Sequence, residues 1–148
     1  MKVNRDDLIY TAGIIDGEGH IGLNHRNNKR QIKVVVGITN TDKKLMKWLE
    51  NIWGHKAYPH NNNRIVPNCK PLYQWVIQDS QAIEMIKAIR PYLKLKTEKA
   101  SLAMAYWDLH EQYGLHRGIR PPQEYYEKTK IVWEKIRELN KRGNNSVE

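Results

Sequence analysis

Cysteine is nearly missing from this sequence, since Cys69 is the only one in 148 residues, and phenylalanine is missing altogether. A single cysteine excludes a disulfide framework within the chain and a zinc site built from several thiolates. No apolar run approaches the roughly eighteen residues of a membrane-spanning helix, and the N-terminus has no apolar signal segment. We therefore expect an intracellular protein with no membrane partner and with an aromatic core of Trp and Tyr.

Acidic residues are also fewer than basic ones. Lys and Arg number 25 against 16 Asp and Glu, which gives a formal net charge of +9. Residues 19–49 contain seven basic side chains and a single acid, whereas residues 1–18 contain four acids and two basic residues. A basic surface beside an acidic spot favours a polyanionic partner. The length and the 40% hydrophobic content fit one globular domain that spans residues 1–148.

Hydrophobic periodicity predicts a first helix over about residues 5–17, with Asn4 and Asp7 as a capping box. Strict alternation then predicts two strands, at 20–26 and 31–39, joined by a polar loop. The elements expected in the rest of the chain are a helix from Thr41 or Asp42 to Trp53, strands at 55–60 and 72–78, and helices from Asp79 or Ser80 to Pro91, from Thr97 to Tyr113 and from Pro121 to Lys141.

This order of elements predicts an α+β fold, in which a four-stranded antiparallel sheet carries helices on one face and leaves the other face open. On the first two strands the alternating apolar residues share one side, while Asn24, Arg26 and Lys33 share the open side. A two-stranded antiparallel ribbon fits the major groove of DNA, where side chains on alternate residues can reach base edges. The open face is therefore a candidate DNA-binding surface.

The segment GIIDGEGHIG, residues 13–22, places two acids, Asp16 and Glu18, at the predicted end of the first helix. A helix C-terminus carries partial negative charge and unpaired carbonyl groups, so a carboxylate there is disfavoured by about 0.3–1 kcal/mol. A divalent cation would reverse this effect, because carboxylates and carbonyls are then its oxygen ligands. Glu18, which is flanked by glycines, is the candidate ligand, whereas Asp16 is expected to face the packing surface of the helix.

Other interpretations of this segment are weaker. An Asp-Gly hairpin turn conflicts with the length of the helical pattern, and a calcium loop lacks further acids at the required positions. Gly17, Gly19 and Gly22 have the GxGxxG spacing of a nucleotide loop, but the residues that follow alternate as a strand instead of forming a helix. A histidine metal site is disfavoured because no pair of His has i, i+4 spacing on a predicted helix.

Residues 11–19, TAGIIDGEG, resemble the LAGLIDADG motif of the homing endonucleases, with Ala, Gly, Ile, Asp, an acid and Gly at matching positions. The main departures are Thr11, Gly17 and Glu18, where the motif has Leu, Ala and Asp. A second segment, PYLKLKTEKASL at residues 91–102, is similar to the part of single-motif members that carries an active-site lysine before a helix. The expected order of elements agrees with the αββαββα fold of this family.

The resemblance implies a site-specific DNA endonuclease that uses Mg²⁺, or another divalent cation such as Mn²⁺, to hydrolyse phosphodiester bonds. Glu18 and the Gly17 carbonyl would bind the cation, Lys96 would stabilise charge in the transition state, and Asn40 would order active-site water. The nearby basic residue that it implies is either Lys43 or Lys44. The residues that it implies for DNA contact are Asn24, Arg26, Asn28, Arg30, Gln31, Lys33, Val35, Gly37, Leu72, Gln74 and Val76.

One motif per chain supplies one metal-binding acid, whereas a double-strand cut needs one for each strand. The resemblance therefore implies a homodimer, packed through the Ala12, Gly13 and Asp16 face of the first helix, whose two-fold axis matches a pseudo-palindromic target. It further implies a cut across the minor groove that leaves 3′ overhangs, a role in intron or intein homing, and a location in a prokaryotic cytoplasm or an organelle.

Two other classes of function are open. An RNA-binding intron maturase of the same fold needs the basic face and its host intron RNA, but it does not need the acid at Glu18. A nucleotide-binding protein that uses the glycines is the third class, and it predicts affinity for NAD or ATP without a basic ribbon.

Overall fold

A computed structural model describes residues 3–25, 32–60, 70–114 and 120–145 of the chain. Helix α1 spans Arg5–Glu18 and begins with the expected capping box, in which the Asn4 side chain accepts a hydrogen bond from the Asp7 N–H at 2.8 Å. The Asp7 carboxylate accepts one from the Asn4 N–H at 3.3 Å. Gly19 ends the helix in an extended conformation. The predicted helix is confirmed, and Glu18 is its last residue.

Four antiparallel strands form one sheet: β1 Gly19–His25, β2 Ile32–Asn40, β3 Tyr58–Pro59 and β4 Tyr73–Gln78. Their order across the sheet is β1, β2, β4, β3. Directly opposite residues share a face, so Asn24 on β1 lies beside Lys33 on β2, and Val35 on β2 lies beside Gln78 on β4. The predicted α+β fold with a four-stranded antiparallel sheet is confirmed.

Strand β3 is much shorter than the predicted strand over residues 55–60. Gly54 and His55 both have left-handed backbone angles, with φ of 74° and 61°, and these angles do not continue a strand. The Trp75 indole N–H donates to the carbonyl oxygens of both residues at 3.1 Å, and this contact holds the turn against the core. The chain consequently pairs with β4 only from Tyr58 onward.

The remaining helices are α2 Lys43–Trp53, α3 Asp79–Ile89, α4 Thr97–Gln112 and α5 Gln123–Asn145, with a 3₁₀ turn at Arg90–Tyr92. Asp42 caps α2 as expected, since its Oδ1 accepts hydrogen bonds from the N–H groups of Lys44 and Leu45 at 2.7 and 3.2 Å. The expected cap of α3 is wrong. Gln78 precedes that helix, and the Asp79 carboxylate instead accepts a hydrogen bond from the Val34 N–H on β2 at 3.2 Å.

The start of α4 also differs from the prediction. Lys96 occupies the cap position, and the Thr97 hydroxyl donates to the Leu93 carbonyl oxygen at 3.1 Å instead of accepting from the first turn. The cap residue of this helix is therefore also the one that the sequence singled out as an active-site lysine.

The hydrophobic core lies between one face of the sheet and the helices. Val34, Val36, Ile38 and Trp75 face this core and have almost no exposed surface. Helices α1, α3 and α4 contact the sheet from this side. The residues between them in each strand face away from the helices, so the other face of the sheet is left open, as expected. Within the described ranges, no helix is long and apolar enough to cross a membrane.

Candidate nucleic-acid interface and active site

The open face of the sheet forms a groove, and Glu18 lies at its edge. The groove is lined by residues of all four strands and the end of α1: Glu18, His20, Asn24, Val35, Gly37, Thr39, Tyr58, Gln74, Val76 and Gln78. Five residues that the sequence predicts to contact DNA are among them: Asn24, Val35, Gly37, Gln74 and Val76. Polar groups from different strands therefore line one continuous surface, with the Val35 side chain at its floor.

The other predicted DNA contacts have different positions. Lys33 lies on the open face opposite Asn24. Leu72 precedes β4 and is half-buried, and its carbonyl oxygen accepts a hydrogen bond from the His60 N–H at 2.8 Å. The remaining four lie outside the described residues: Arg26, Asn28, Arg30 and Gln31.

Four residues of the groove were absent from the predicted contact set: His20, Thr39, Tyr58 and Gln78. Strand alternation contained the signal for three of them, because His20 is two residues before Gly22, Thr39 is two after Gly37, and Gln78 is two after Val76. Tyr58 is different, since only its pairing with Gln74 places it on this face.

Asp16 is bound by a loop that is distant in sequence. Its two carboxylate oxygens accept hydrogen bonds from the backbone N–H groups of Lys94, Leu95 and Lys96 at 2.7, 3.2 and 3.0 Å. Three N–H donors satisfy a carboxylate that the negative end of α1 would otherwise repel. Asp16 therefore fixes the loop that precedes α4 to the end of α1.

Lys96 lies at the same helix end. Its ammonium Nζ donates to the Asp16 backbone carbonyl oxygen at 2.7 Å, which places a cation at the negative end of the α1 dipole. Burial, and secondarily the neighbouring Lys99, lower the pKa of Lys96, while the Asp16 carboxylate opposes this effect. The predicted lysine is thus held within one turn of Glu18.

Glu18 is exposed and has a polar partner, Asn40, at the end of β2. The Asn40 side-chain Nδ2 donates to Glu18 Oε2 at 2.5 Å, and Asn40 Oδ1 accepts from the Asp42 backbone N–H at 2.8 Å. A backbone N–H can only donate, so this second bond fixes the orientation of the amide and directs its NH₂ group toward Glu18. The geometry brings together the two residues that the sequence predicts for the same site.

The choice between Lys43 and Lys44 is not decided by contacts with Glu18. Lys43 lies on the first turn of α2, and its Nζ is 5.7 Å from the centroid of the Tyr73 ring, in a cation–π contact. The Lys44 backbone N–H donates to the cap residue Asp42. The predicted role of either lysine stays a prediction.

The outer face of α1 is exposed and partly apolar. Ile9 and Tyr10 are 44% and 56% exposed. Apart from the adjoining residues and the backbone of α1 itself, no atom lies within 4 Å of where a Cβ would stand on Gly13 or Gly17. The predicted dimer contact requires correction, because Ala12 has no exposed surface and Asp16 is already engaged by the loop at 94–96. Of the three predicted residues, Gly13 is the one that α1 exposes.

His20 is an exposed residue that lines the groove and feels the charges of Lys96 and Lys99. A Cβ on Gly22 would stand 2.6 Å from the His20 Nε2, so the imidazole ring occupies the space that this glycine leaves open. Burial, followed by the charges of Lys99 and Lys96, lowers the pKa of His20. Both effects favour the neutral form of the His20 ring.

A cation at the end of α1 would need oxygen ligands from more than one source. Among the described residues there is no cluster of three or more His, Cys, Asp or Glu side chains. The Glu18 carboxylate and the carbonyl of Gly17, both exposed, are hard oxygen donors of the kind that Mg²⁺ prefers. These donors would supply some of the oxygen ligands of such an ion, and the others would come from water, phosphate oxygen or a second chain.

The fold is that of the LAGLIDADG homing endonucleases. The homing endonuclease I-CvuI, solved with its target in the presence of Ca, is 15% identical with a TM-score of 0.67, and the match covers 87% of this chain and 78% of that one. The archaeal intron-encoded I-Vdi141I, complexed with DNA, is 12% identical with a TM-score of 0.69, and the match covers 90% and 83%.

A third structure is longer. I-GzeII, a LAGLIDADG homing endonuclease in complex with its DNA target, is 16% identical with a TM-score of 0.67, but the match covers 90% of this chain and only 45% of that one. No protein-family model and no curated protein sequence matches. The chain thus has the size of I-CvuI and I-Vdi141I and about half the size of I-GzeII.

Proposed function

We propose that this protein is a site-specific DNA endonuclease that makes a metal-dependent double-strand cut. The observation that supports it most is the position of Glu18, at the edge of the open groove and in contact with Asn40. A groove alone would suit a binding protein. The exposed Glu18 carboxylate and the Lys96 ammonium, which is held at the same helix end, add the groups that phosphodiester hydrolysis needs.

Double-stranded DNA is the proposed partner of the groove. Asn24, Gln74 and Gln78 can exchange hydrogen bonds with base edges, and the net charge of +9 favours the phosphate backbone. Affinity should fall with log salt at a slope of about −0.9 per neutralised phosphate. The similar structures of I-CvuI and I-Vdi141I are complexes with DNA, so we propose DNA instead of intron RNA as the ligand.

Glu18 and the Gly17 carbonyl would hold a Mg²⁺ or Mn²⁺ ion, which when bound lowers the pKa of the attacking water and stabilises the leaving oxygen. Asn40 would keep the Glu18 carboxylate oriented through its fixed amide group. The Lys96 ammonium, held at Asp16, would favour the negative charge that develops on the phosphate. Lys43 or Lys44 would supply a further positive charge.

Two chains would form the active enzyme. Each chain has one Glu18, and a double-strand cut needs an acid for each strand. The exposed face of α1 fits a symmetric contact, because Gly13 and Gly17 let another backbone approach while Ile9 and Tyr10 contribute apolar surface. A match to only 45% of the I-GzeII chain is consistent with a unit that works in pairs. The two-fold axis would select a pseudo-palindromic target, cut across the minor groove to leave 3′ overhangs.

The test is selection of the target from a randomised duplex library, followed by cleavage of the selected sequence. With Mg²⁺ we expect a double-strand cut whose ends carry 3′ overhangs, and with EDTA we expect binding without a cut. Selective binding with no cut in Mg²⁺ or Mn²⁺ would leave a DNA-binding protein and reject the endonuclease. Sedimentation of the protein–DNA complex gives the number of chains, and a single chain on the full target would reject the dimer.

A further inference from the structure

Lys33 and Gln78 form a hydrogen-bonded pair across two strands on the open face. The Lys33 Nζ lies 2.9 Å from the Gln78 side-chain Oε1, and Gln78 lines the groove. Lys33 is also 3.9 Å from the Asp79 Oδ2, and its side chain is only 21% exposed. Asp79 in turn accepts a hydrogen bond from the Val34 N–H. The lysine is therefore held in one place by neighbours on β4 and α3.

The chemistry of lysine fixes the orientation of the glutamine amide. An ammonium group has three donors and no acceptor, so the Gln78 atom that it contacts has to be the carbonyl oxygen. The Gln78 NH₂ group then points away from Lys33, with both of its hydrogens available. Gln78 is the member of the pair that lines the groove, and Lys33 holds its amide so that the oxygen faces the ammonium.

A site rich in donors distinguishes between the two purines. Guanine offers two acceptors, N7 and O6, on its major-groove edge, whereas adenine offers one acceptor and one donor. Glutamine reads adenine through both of its amide atoms at once, accepting from N6 and donating to N7. The Gln78 Oε1 keeps a second lone pair, but an adenine amino group that used it would come close to the Lys33 ammonium. Repulsion between these two donor groups disfavours the bidentate contact with adenine, whereas the same ammonium favours the acceptors of guanine.

We infer that Lys33 and Gln78 act as one specificity-determining unit that selects guanine at one base pair of each half-site, and that the Lys33 ammonium does so by disfavouring the adenine-reading mode of Gln78. This inference rests on the proposed function, because it needs the groove to bind DNA. In this inference, Lys33 determines which DNA sequence is preferred and does not only increase affinity.

Substitution of Lys33 tests this directly. Lys33→Met keeps the length of the side chain but releases the Gln78 amide, so preference at one position should move from guanine to adenine by about tenfold or more. Lys33→Arg keeps a charged donor beside the Gln78 Oε1 and should retain the preference for guanine. The double variant Lys33→Met with Gln78→Met should lose both preferences at that position.

The measurement is selection from a randomised duplex library by the full-length protein, followed by competition binding with single-base variants of the selected target. Lys87→Met on α3, an exposed lysine outside the groove, is the charge-matched control and should leave the profile unchanged. Thermal unfolding of each variant confirms that it folds. If Lys33→Met lowers affinity equally for all sequences, Lys33 is a phosphate contact and the inference fails while the proposed function stands.

A wild-type protein that selects no DNA sequence would have a different meaning. That result would reject the proposed function, and with it the specificity-determining unit of Lys33 and Gln78. If the wild-type protein shows no guanine preference at any position that Lys33→Met alters, only the inference about Lys33 and Gln78 is rejected.

Discussion

Asp16 and Glu18 are two residues apart on the last turn of α1, yet they belong to different parts of the molecule. The inner side of this turn carries Asp16, whose carboxylate is satisfied by three backbone N–H groups of the loop at 94–96. The outer side carries Glu18, which is exposed and accepts a hydrogen bond from the neutral side-chain amide of Asn40. Asp16 therefore has a structural role and Glu18 is available to a ligand, and the difference comes from their hydrogen-bond partners and not from their residue type.

This difference predicts that the two carboxylates fail in different ways when they are removed. Loss of the outer acid should affect chemistry and leave the fold intact. Loss of the inner acid should affect stability first, and it should affect chemistry only through Lys96.

The largest effect should come from Glu18→Gln. The amide is a poor ligand for a divalent cation, so we expect the cleavage rate to fall about a thousandfold, equivalent to about 4 kcal/mol of transition-state stabilisation. Single-turnover cleavage of the selected target measures the rate. Target affinity and the midpoint of urea unfolding should stay at wild-type values, and a cleaving Glu18→Gln protein would contradict the assigned role.

Lys96→Met should have the next largest effect, a fall in the cleavage rate of about a hundredfold, because a positioned cation near the scissile phosphate is lost. Lys96→Arg should retain most of the rate.

The pH dependence of cleavage provides a second test of Lys96. Its pKa is lowered by burial, and only the protonated form carries charge, so activity should be present at neutral pH and decline as pH rises through that lowered pKa. In Lys96→Arg the decline should move to higher pH, because guanidinium stays protonated. An identical alkaline limb in both proteins would assign the decline to another group.

Asp16→Asn should reduce stability by about 2 kcal/mol, or roughly 30-fold in the folding equilibrium, because charge-assisted hydrogen bonds become weaker neutral ones and one oxygen becomes a donor. Urea denaturation measures the change. The matched variant is Glu18→Gln, two residues away with the same change of chemistry, and equal destabilisation by both would remove the contrast between the two acids.

Asn40→Ala should have the smallest effect, a fall in the cleavage rate of about tenfold. The substitution removes the amide that orients Glu18, but it leaves the carboxylate in place. The divalent-ion concentration for half-maximal cleavage should rise with it. A change in rate with no change in that concentration would assign Asn40 to water or DNA instead of to Glu18.

Much of this architecture could be predicted from local patterns. The capping box at Asn4, the alternation on β1 and β2 and the end of α2 at Gly54 each depend on neighbours close in sequence, so hydrophobic period and turn chemistry were sufficient. The resemblance in residues 11–19 and 91–102 then located Glu18 and Lys96, and the structure brings both segments to the same helix end.

The missed features depend on contacts that are distant in sequence. Asp16 binds a loop about 80 residues away, and Asp79 binds β2 instead of capping its own helix. Strand β3 is short because the indole of Trp75 holds the preceding turn. No local pattern contains such contacts, and the predicted dimer face of Ala12, Gly13 and Asp16 therefore included two residues that the chain itself engages.

Binding of Mn²⁺ to the protein–DNA complex addresses the role of Glu18 most directly, because it reports the ion itself and requires no catalysis. Electron paramagnetic resonance titration should show bound Mn²⁺ in the wild-type complex and in Asp16→Asn at a temperature where that variant is folded. In Glu18→Gln the affinity should be at least about tenfold weaker. Equal Mn²⁺ binding by the Glu18→Gln complex would show that the exposed acid at the end of α1 is not a ligand.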